Sequence, residues 1–332
     1  MERKMSNIKT TYLGIEIDSP IIVGSCGLTN SIENLRKIEK AGAGAVVLKS
    51  LFEEQIIEER IKSAAQGMYA SFHSEALEYI SQISMNFGPD NYIKLIKEAK
   101  AELKIPVIAS VNCISTQYWV EFAKKIENAG ADALEVNISH VTHDIEMSDE
   151  QITEDYLRTF KAIKAVINIP VSVKMGQNFT NISRMVKLLE NYGAAGVVLF
   201  NRFYQVDIDI DKMELVPGYI RSSRKDITET IRWISLLSGK TKLALAASRG
   251  VKTGSDVVKM LLAGADAVQV VSSVYKEGIE YIAKMNIEVM EWMEEKGFTS
   301  INEFKGKLNH KNIDDPQAWE RQQYIKAIVG VE

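Results

Sequence analysis

Ala133-Leu-Glu-Val-Asn-Ile-Ser-His140, continued by Val-Thr-His143, is the stretch whose reading decides the fold. Ala133, Leu134, Val136 and Ile138 are apolar or β-branched, and Gly130 punctuates the chain just before them, so the segment reads as a buried strand. Its far end changes character, because Asn137, Ser139, His140, Thr142 and His143 crowd into seven residues. An apolar strand running into hydrogen-bonding and titratable groups has the form of a strand at the catalytic rim of a parallel barrel. For this strand alone a solvated loop is an equal alternative. Other strands that end the same way decide between them.

Working outward, seven further apolar segments follow the same plan. They are Pro20-Ile-Ile-Val-Gly24, Ala45-Val-Val-Leu-Lys-Ser50, Pro106-Val-Ile-Ala-Ser-Val111, Pro170-Val-Ser-Val-Lys174, Gly196-Val-Val-Leu-Phe-Asn201, Leu243-Ala-Leu-Ala-Ala247 and Ala267-Val-Gln-Val-Val271. Helices are expected between them: one from about Ser31, then Asn91–Leu103, Gln117–Ala129, Glu150–Ile167, Ile182–Tyr192, Ile227–Leu237, Ser255–Ala263 and Gly278–Lys296. Gly14–Asp18 reads as a hairpin arm that closes the bottom of the barrel, while the rhythm breaks over 53–89 and again in an irregular insertion over 202–225.

A weak internal repeat supports the alternation. Ala41-Gly-Ala-Gly-Ala-Val-Val, Ala129-Gly-Ala-Asp-Ala-Leu, Tyr192-Gly-Ala-Ala-Gly-Val-Val and Ala263-Gly-Ala-Asp-Ala-Val share one form, in which glycine ends a helix and small residues lead into a strand. Near-continuous apolar strands are those of a parallel sheet covered on both faces. A doubly wound open sheet also alternates. Eight strands, with no G-x-G-x-x-G after the first, favour a closed (β/α)8 TIM barrel over residues 1–310, followed by a C-terminal extension over 311–332 with some helical character.

Composition sets the outer bounds. A chain of 332 residues with 46% apolar and 25% charged residues can bury a large core as one barrel domain. The net charge of −4 argues against a nucleic-acid partner. No apolar run is long enough to span a bilayer, and Met1-Glu-Arg-Lys-Met-Ser-Asn7 does not resemble a signal peptide. Cys26 and Cys113 form no C-x-x-C, so neither zinc nor an iron–sulfur cluster is suggested and a reduced, cytoplasmic location is expected.

In a barrel of this kind the C-terminal strand ends converge on one face. Those ends carry Ser25, Lys49 with Ser50, Asn112, Asn137 with His140, Lys174, Asn201, Ser248 with Gly250, and Ser272 with Ser273. A single lysine there is most simply a snorkelling or salt-bridged side chain. Two lysines and three asparagines at equivalent ends suit an anionic, amide-bearing small molecule, since asparagine both donates and accepts and lysine supplies a point charge. Ala247-Ser-Arg-Gly-Val-Lys-Thr-Gly254 and Val270-Val-Ser-Ser273 follow the seventh and eighth strands, where barrels bind phosphate through backbone N–H groups and hydroxyls.

The order of these motifs resembles the class 1 dihydroorotate dehydrogenases, over nearly the whole chain to about Lys307. Ser19-Pro-Ile-Ile-Val-Gly-Ser25, Val47-Leu-Lys49-Ser50, Glu135-Val-Asn137-Ile-Ser139-His140-Val141-Thr142, Val173-Lys174, Asn201, Arg249-Gly250-Val-Lys-Thr-Gly-Ser-Asp256, Leu262-Ala-Gly-Ala-Asp-Ala-Val-Gln-Val and Gly297-Phe-Thr-Ser-Ile-Asn-Glu-Phe-Lys-Gly-Lys307 carry the likeness together. The resemblance implies a (β/α)8 barrel, FMN as cofactor, a homodimer, and oxidation of a C–C single bond to C=C, as in dihydroorotate to orotate in pyrimidine metabolism. It implies flavin contacts from Gly24, Ser25, Lys49, Ser50, Asn112, Lys174, Asn201 and Ser248, and phosphate contacts from Gly250, Ser272 and Ser273. Lys49, Asn137, Asn201 and Thr142 are the implied substrate contacts, with His140 and Lys49 catalytic.

Three departures accompany the likeness. The family's base is a cysteine where this chain has His140, which can take a proton near neutral pH. The proline and asparagine that follow in the family are Val141 and Thr142 here. Its substrate loop matches only Ile80-Ser-Gln-Ile-Ser-Met-Asn86, with Ile80 in place of an amide. The alternatives are a related dihydropyrimidine or enoyl oxidoreductase, a flavin-binding protein without turnover, and a flavin-free barrel using Lys49 or Lys174 as a Schiff-base amine. His140, His143 and Asp144 lack a further ligand set for a metal, and Cys26 and Cys113 read as small buried thiols. The tail with Trp319, Tyr324 and Ile328 reads either as a dimer arm or as a helix covering the barrel.

Overall fold

The computed structural model describes residues 7–57, 88–113, 119–138, 144–202, 206–218 and 222–321. Thr10–Tyr12 (β1) and Ile15–Ile17 (β2) form an antiparallel hairpin. Ile21–Val23 (β3) and Ala45–Val47 (β4) open the parallel sheet, and Leu51–Phe52 (β5) is a short extension on its rim. Val107–Cys113 (β6), Ala133–Ile138 (β7), Val171–Met175 (β8) and Gly196–Leu199 (β9) continue it. Val206–Asp209 (β10) and Glu214–Pro217 (β11) stand apart as a second hairpin, and Ala244–Ser248 (β12) and Ala267–Val270 (β13) complete the sheet.

Parallel pairing runs β3-β4-β6-β7-β8-β9-β12-β13, and β13 pairs back onto β3. With β5 outside this circuit, the ring is a closed barrel of eight strands, as the sequence pattern predicted. Alternate residues point in and out. The outward set packs beneath the helices in the larger apolar core, with Val46, Leu134, Val136, Val173 and Val197 among its members. The inward set at the bottom of the lumen is Ile22, Ala45, Val47, Ile108, Ala133, Val198, Ala246 and Ala267. Tyr12, Leu13 and Ile17 of the first hairpin join that inner cluster, so the arm plugs the barrel floor as expected. Leu13 presses so closely that a side chain at Gly196 would lie 2.6 Å from it.

The repeat has a physical basis. Gly42, Gly130, Gly193 and Gly264, which follow the four helices, all have φ between +84° and +110°, a backbone that turns the chain back toward the sheet. In two repeats the aspartate then ties neighbouring strands together. Asp132 accepts from the Val107 N–H at 2.7 Å and pairs with Lys100; Asp266 accepts from the Leu245 N–H at 2.8 Å and pairs with Lys305.

Three expectations change in detail, and the C-terminal extension is described in part. The 202–225 insertion is not wholly irregular, since it holds the β10–β11 hairpin. The helix expected over Gly278–Lys296 begins at Tyr281, and a separate short helix that was not expected, Ser272–Glu277, precedes it and ends at Gly278, which adopts φ +93°. Helix ends elsewhere move by one to three residues, with Pro89–Glu102 and Asp149–Lys164 observed and the described part of the helix between them running Trp119–Asn128. The described part of the C-terminal extension forms one short helix, Gln317–Glu320, beside the helix Ile227–Leu237, where Arg232 donates to the Arg321 carbonyl at 3.0 Å. No helix among the described residues is long and apolar enough to cross a membrane.

Candidate active site

The inward parity that makes the barrel floor apolar also builds the site. One step up from Ile108, Ala133 and Ala267 come Ser110, Glu135 and Gln269; a further step brings Asn112 and Asn137 beside Lys174. The lumen thus changes from apolar to polar toward the C-terminal ends of the strands.

Lys174 is the centre of the first polar group. Its Nζ donates to Gln269 Oε1 at 2.9 Å and lies 3.4 Å from Glu135 Oε1, while Gln269 Nε2 donates to Glu135 Oε2 at 2.5 Å. Glu135 is 1% exposed and Lys174 9%, so each charge depends on the other for compensation. The salt-bridged reading of a strand-end lysine therefore holds for Lys174. It does not hold for Lys49, which no carboxylate pairs among the described residues. The Lys49 amine stands 5.6 Å over the Phe52 ring, in a cleft also lined by Asn30, Gln55, Asn91 and Tyr92. Lys174 is held within the barrel wall, whereas Lys49 lines an open cleft.

A second group runs along the neighbouring strands. Ser25 Oγ accepts from the Ser50 N–H at 2.8 Å and contacts Ser50 Oγ at 2.9 Å, which in turn meets Ser110 Oγ at 2.8 Å. Tyr92 fixes the far end, donating to the Ser110 carbonyl at 2.9 Å and accepting from its N–H at 2.7 Å. Burial holds the Tyr92 phenol protonated well above the usual tyrosine range, so it serves as a permanent donor. On the opposite side of the opening Asn201 Nδ2 donates to Asn137 Oδ1 at 3.0 Å, which orients both amides.

The third group follows β12 and β13. Gly250 has φ +74°, and a side chain there would lie 2.4 Å from the Ile227 nitrogen. Ser272 Oγ lies 3.1 Å from Ser222 Oγ. Ser273 is buried, and its Oγ has no hydrogen-bond partner among the described residues; the same is true of Arg249 Nε. Gly24 and Ser248 sit on the same inward faces of β3 and β12, one step above the apolar floor.

The structure thus brings Gly24, Ser25, Lys49, Ser50, Asn112, Asn137, Lys174, Asn201, Ser248, Gly250, Ser272 and Ser273 to one end of the barrel. His140 and Thr142, like Ile80, Val141 and His143, lie outside the described residues. No group of three metal-ligating side chains occurs among the described residues. Burial raises the thiol pKa of Cys26, and that of Cys113 well above the cysteine range, so neither is primed as a nucleophile. Sequence reading quoted Glu135 and Gln269 only as parts of motifs and did not single out Tyr92, Ser110 or Arg249. Glu135 had a usable signal: it is a charge two residues before Asn137 in an otherwise apolar strand, hence on the same inward face.

An eight-stranded parallel barrel with a polar C-terminal mouth and an anion-ready turn after its last two strands is the architecture of barrel enzymes that hold a phosphate-bearing cofactor. The dihydroorotate dehydrogenase family profile matches residues 7–293, and the chain belongs to that family. The chain is 29% identical to the dihydroorotate dehydrogenase B (NAD(+)) catalytic subunit of Thermoplasma volcanium, over 91% of this chain and 98% of that one. It is 28% identical to the same-named protein of Pyrococcus furiosus over 90% and 98%, and 27% identical to that of Methanocaldococcus jannaschii over 88% and 95%. The family's enzymes are FMN flavoproteins. The residues present fit FMN, because Ser273 Oγ is a buried polar atom with no hydrogen-bond partner among the described residues, at the eighth-strand end where barrels bind phosphate.

Proposed function

We propose that this chain is an FMN-dependent oxidoreductase of CH–CH bonds whose preferred substrate is a relative of dihydroorotate rather than dihydroorotate itself. The observation that carries the reading is the division of labour between the two lysines. Lys174 is engaged by Glu135 and Gln269, whereas Lys49 has no carboxylate partner among the described residues and lines a cleft at the same end of the barrel that carries the Asn137–Asn201 amide pair. A point cation and two fixed amides suit a planar molecule with an anionic or amide edge.

When bound, FMN supplies a two-electron acceptor for hydride. Gly24, Ser25, Ser50, Asn112, Lys174 and Ser248 would line the flavin, and Gly250, Ser272 and Ser273 its phosphate. Lys49, Asn137, Asn201 and Thr142 would orient the substrate, and the His140 imidazole would take the proton from the carbon next to the one losing hydride. In the sequence likeness Ile80, Val141 and Thr142 align with the family's orotate-contacting positions, and a ring amide left unpaired is discriminated against by about 10⁴–10⁵. Another dihydropyrimidine, or an enoyl compound, leaves fewer polar groups unmatched.

Purified protein should be yellow or take up FMN on reconstitution, and titration of the oxidised protein with orotate should perturb the flavin spectrum only weakly. A colourless protein that takes up no FMN would sink the flavin reading. Tight orotate binding with rapid bleaching by dihydroorotate would instead overturn the substrate reading alone. If no cyclic amide or unsaturated acid reduces or reoxidises the flavin, the chain is a binding protein without turnover.

The domain reading accompanying this proposal is one barrel unit over residues 1–310 with an appended tail, in a cytoplasmic protein. A homodimer is supported by the β10–β11 hairpin. Val206, Ile208 and Leu215 share one face of it and are 54%, 62% and 74% exposed, while Asp207, Asp209 and Glu214 occupy the other. Ile210 and Met213 extend the apolar face into the turn. An apolar face of that kind marks an interaction surface. Light scattering should find a dimer in the native protein and a monomer in Ile208→Asp/Leu215→Asp. A native monomer at micromolar concentration would remove the proposal.

A further inference from the structure

The turn after β12 holds a charged residue with no role in the reading above. Arg249 has φ +83° and is followed directly by Gly250 at +74°. A left-handed backbone strains any residue with a Cβ, and glycine would adopt it without that penalty. What the strain retains here is a largely buried guanidinium. Among the described residues it makes one long ion pair, Nη2 to Asp226 Oδ1 at 3.3 Å, with the arginine side chain 12% exposed. Its Nε is buried with no hydrogen-bond partner among the described residues. A guanidinium has five N–H donors, so a single contact leaves most of its capacity unused.

The surroundings say what would use it. β12 and β13 are adjacent, with Ser248 opposite Gln269, so the Arg249–Gly250 turn and the Ser272–Ser273 segment emerge side by side on one edge of the mouth. Ser273 Oγ on that edge is likewise buried without a partner. Asp226 cannot swing to satisfy more of the arginine, because its Oδ2 accepts from the Ser223 N–H at 2.7 Å and caps a helical turn. A buried cation held from one side, beside a buried orphan hydroxyl, is completed by an anion with several acceptor oxygens.

We propose that Arg249 is a phosphate-binding residue, donating to the phosphate of FMN while Asp226 fixes its orientation. The assignment rests on the flavin reading above, and its test separates the two. Flavin-free protein is titrated with FMN and with riboflavin, following flavin fluorescence, for the native chain, Arg249→Gly and Arg249→Lys at two salt concentrations. Arg249→Gly should weaken FMN binding by about 10–100-fold, the value of a lost charge-assisted hydrogen bond or pair of them, and leave riboflavin binding within about twofold. Its FMN affinity should depend less on salt than that of the native protein, and Arg249→Lys should recover part of the loss. The melting temperature of flavin-free Arg249→Gly should equal or exceed the native one, since a strained turn is relieved. Equal losses for FMN and riboflavin, or no loss for either, would make Arg249 a structural residue and overturn the assignment. A native chain that binds neither flavin overturns the flavin reading and this assignment with it.

Discussion

His140→Ala should reduce its flavin about 10²–10⁴-fold more slowly than the native protein when mixed anaerobically with substrate, the loss expected for a missing general base. The expectation rests on position and chemistry. His140 follows the lumen-facing Asn137 at the end of β7, within three residues of the polar mouth, and imidazole has an unperturbed pKa of about 6.5. The base must be neutral to accept a proton, so the native reduction rate should rise with pH through the histidine range and then level. His140→Cys should retain part of the rate, with its rise moved up toward the thiol range, about 8.5. Stopped-flow reduction across pH checks both. Reduction kinetics unchanged in His140→Ala would remove this residue from the mechanism, whatever the substrate proves to be.

The second large effect concerns the barrel wall rather than the reacting atoms. Lys174→Met leaves the Glu135 carboxylate almost fully buried with Gln269 Nε2 as its remaining partner among the described residues. Breaking a buried ion pair by removing one member costs about 3–5 kcal/mol, because the surviving charge keeps its desolvation penalty without compensation. Flavin-free Lys174→Met should therefore lose about that much stability in urea unfolding at pH 7, measured without FMN so that lost binding does not contribute. Glu135→Gln/Lys174→Met removes both charges and should regain most of the loss, since a glutamine at 135 still accepts from the Gln269 amide. A single variant less than about 1 kcal/mol below native would show that Lys174 and Glu135 are not the coupled pair described, on the scale of an exposed salt bridge.

The sequence by itself determined the ring of strands. Each barrel strand is buried on both faces, so Ala45-Val-Val and Gly196-Val-Val-Leu read as continuous apolar runs, and the glycine that ends each preceding helix marks where the run begins. It also determined the polar ends, because a side chain that cannot pack a core stands out at the end of a run that does. Element boundaries were less legible. The sequence pattern starts a helix at Gly278, whereas the chain forms a separate short helix, Ser272–Glu277, before that glycine and begins the long one at Tyr281. The β10–β11 hairpin escaped notice because its apolar residues face solvent, which removes the burial that makes a strand pattern informative.

Only the tertiary structure decided what each polar residue faces. Lys49 and Lys174 look equivalent in sequence, each an amine after a β-branched run. Ring closure brings Gln269, 95 residues away, and Glu135, 39 residues away, onto Lys174, and brings no carboxylate among the described residues onto Lys49. The same closure sets the Arg249 turn beside Ser273. The alternation of side chains along a strand is local and can be read from a few residues. Which inward-facing side chains meet across a lumen depends on the order in which eight strands close, and no single segment of the chain carries that information.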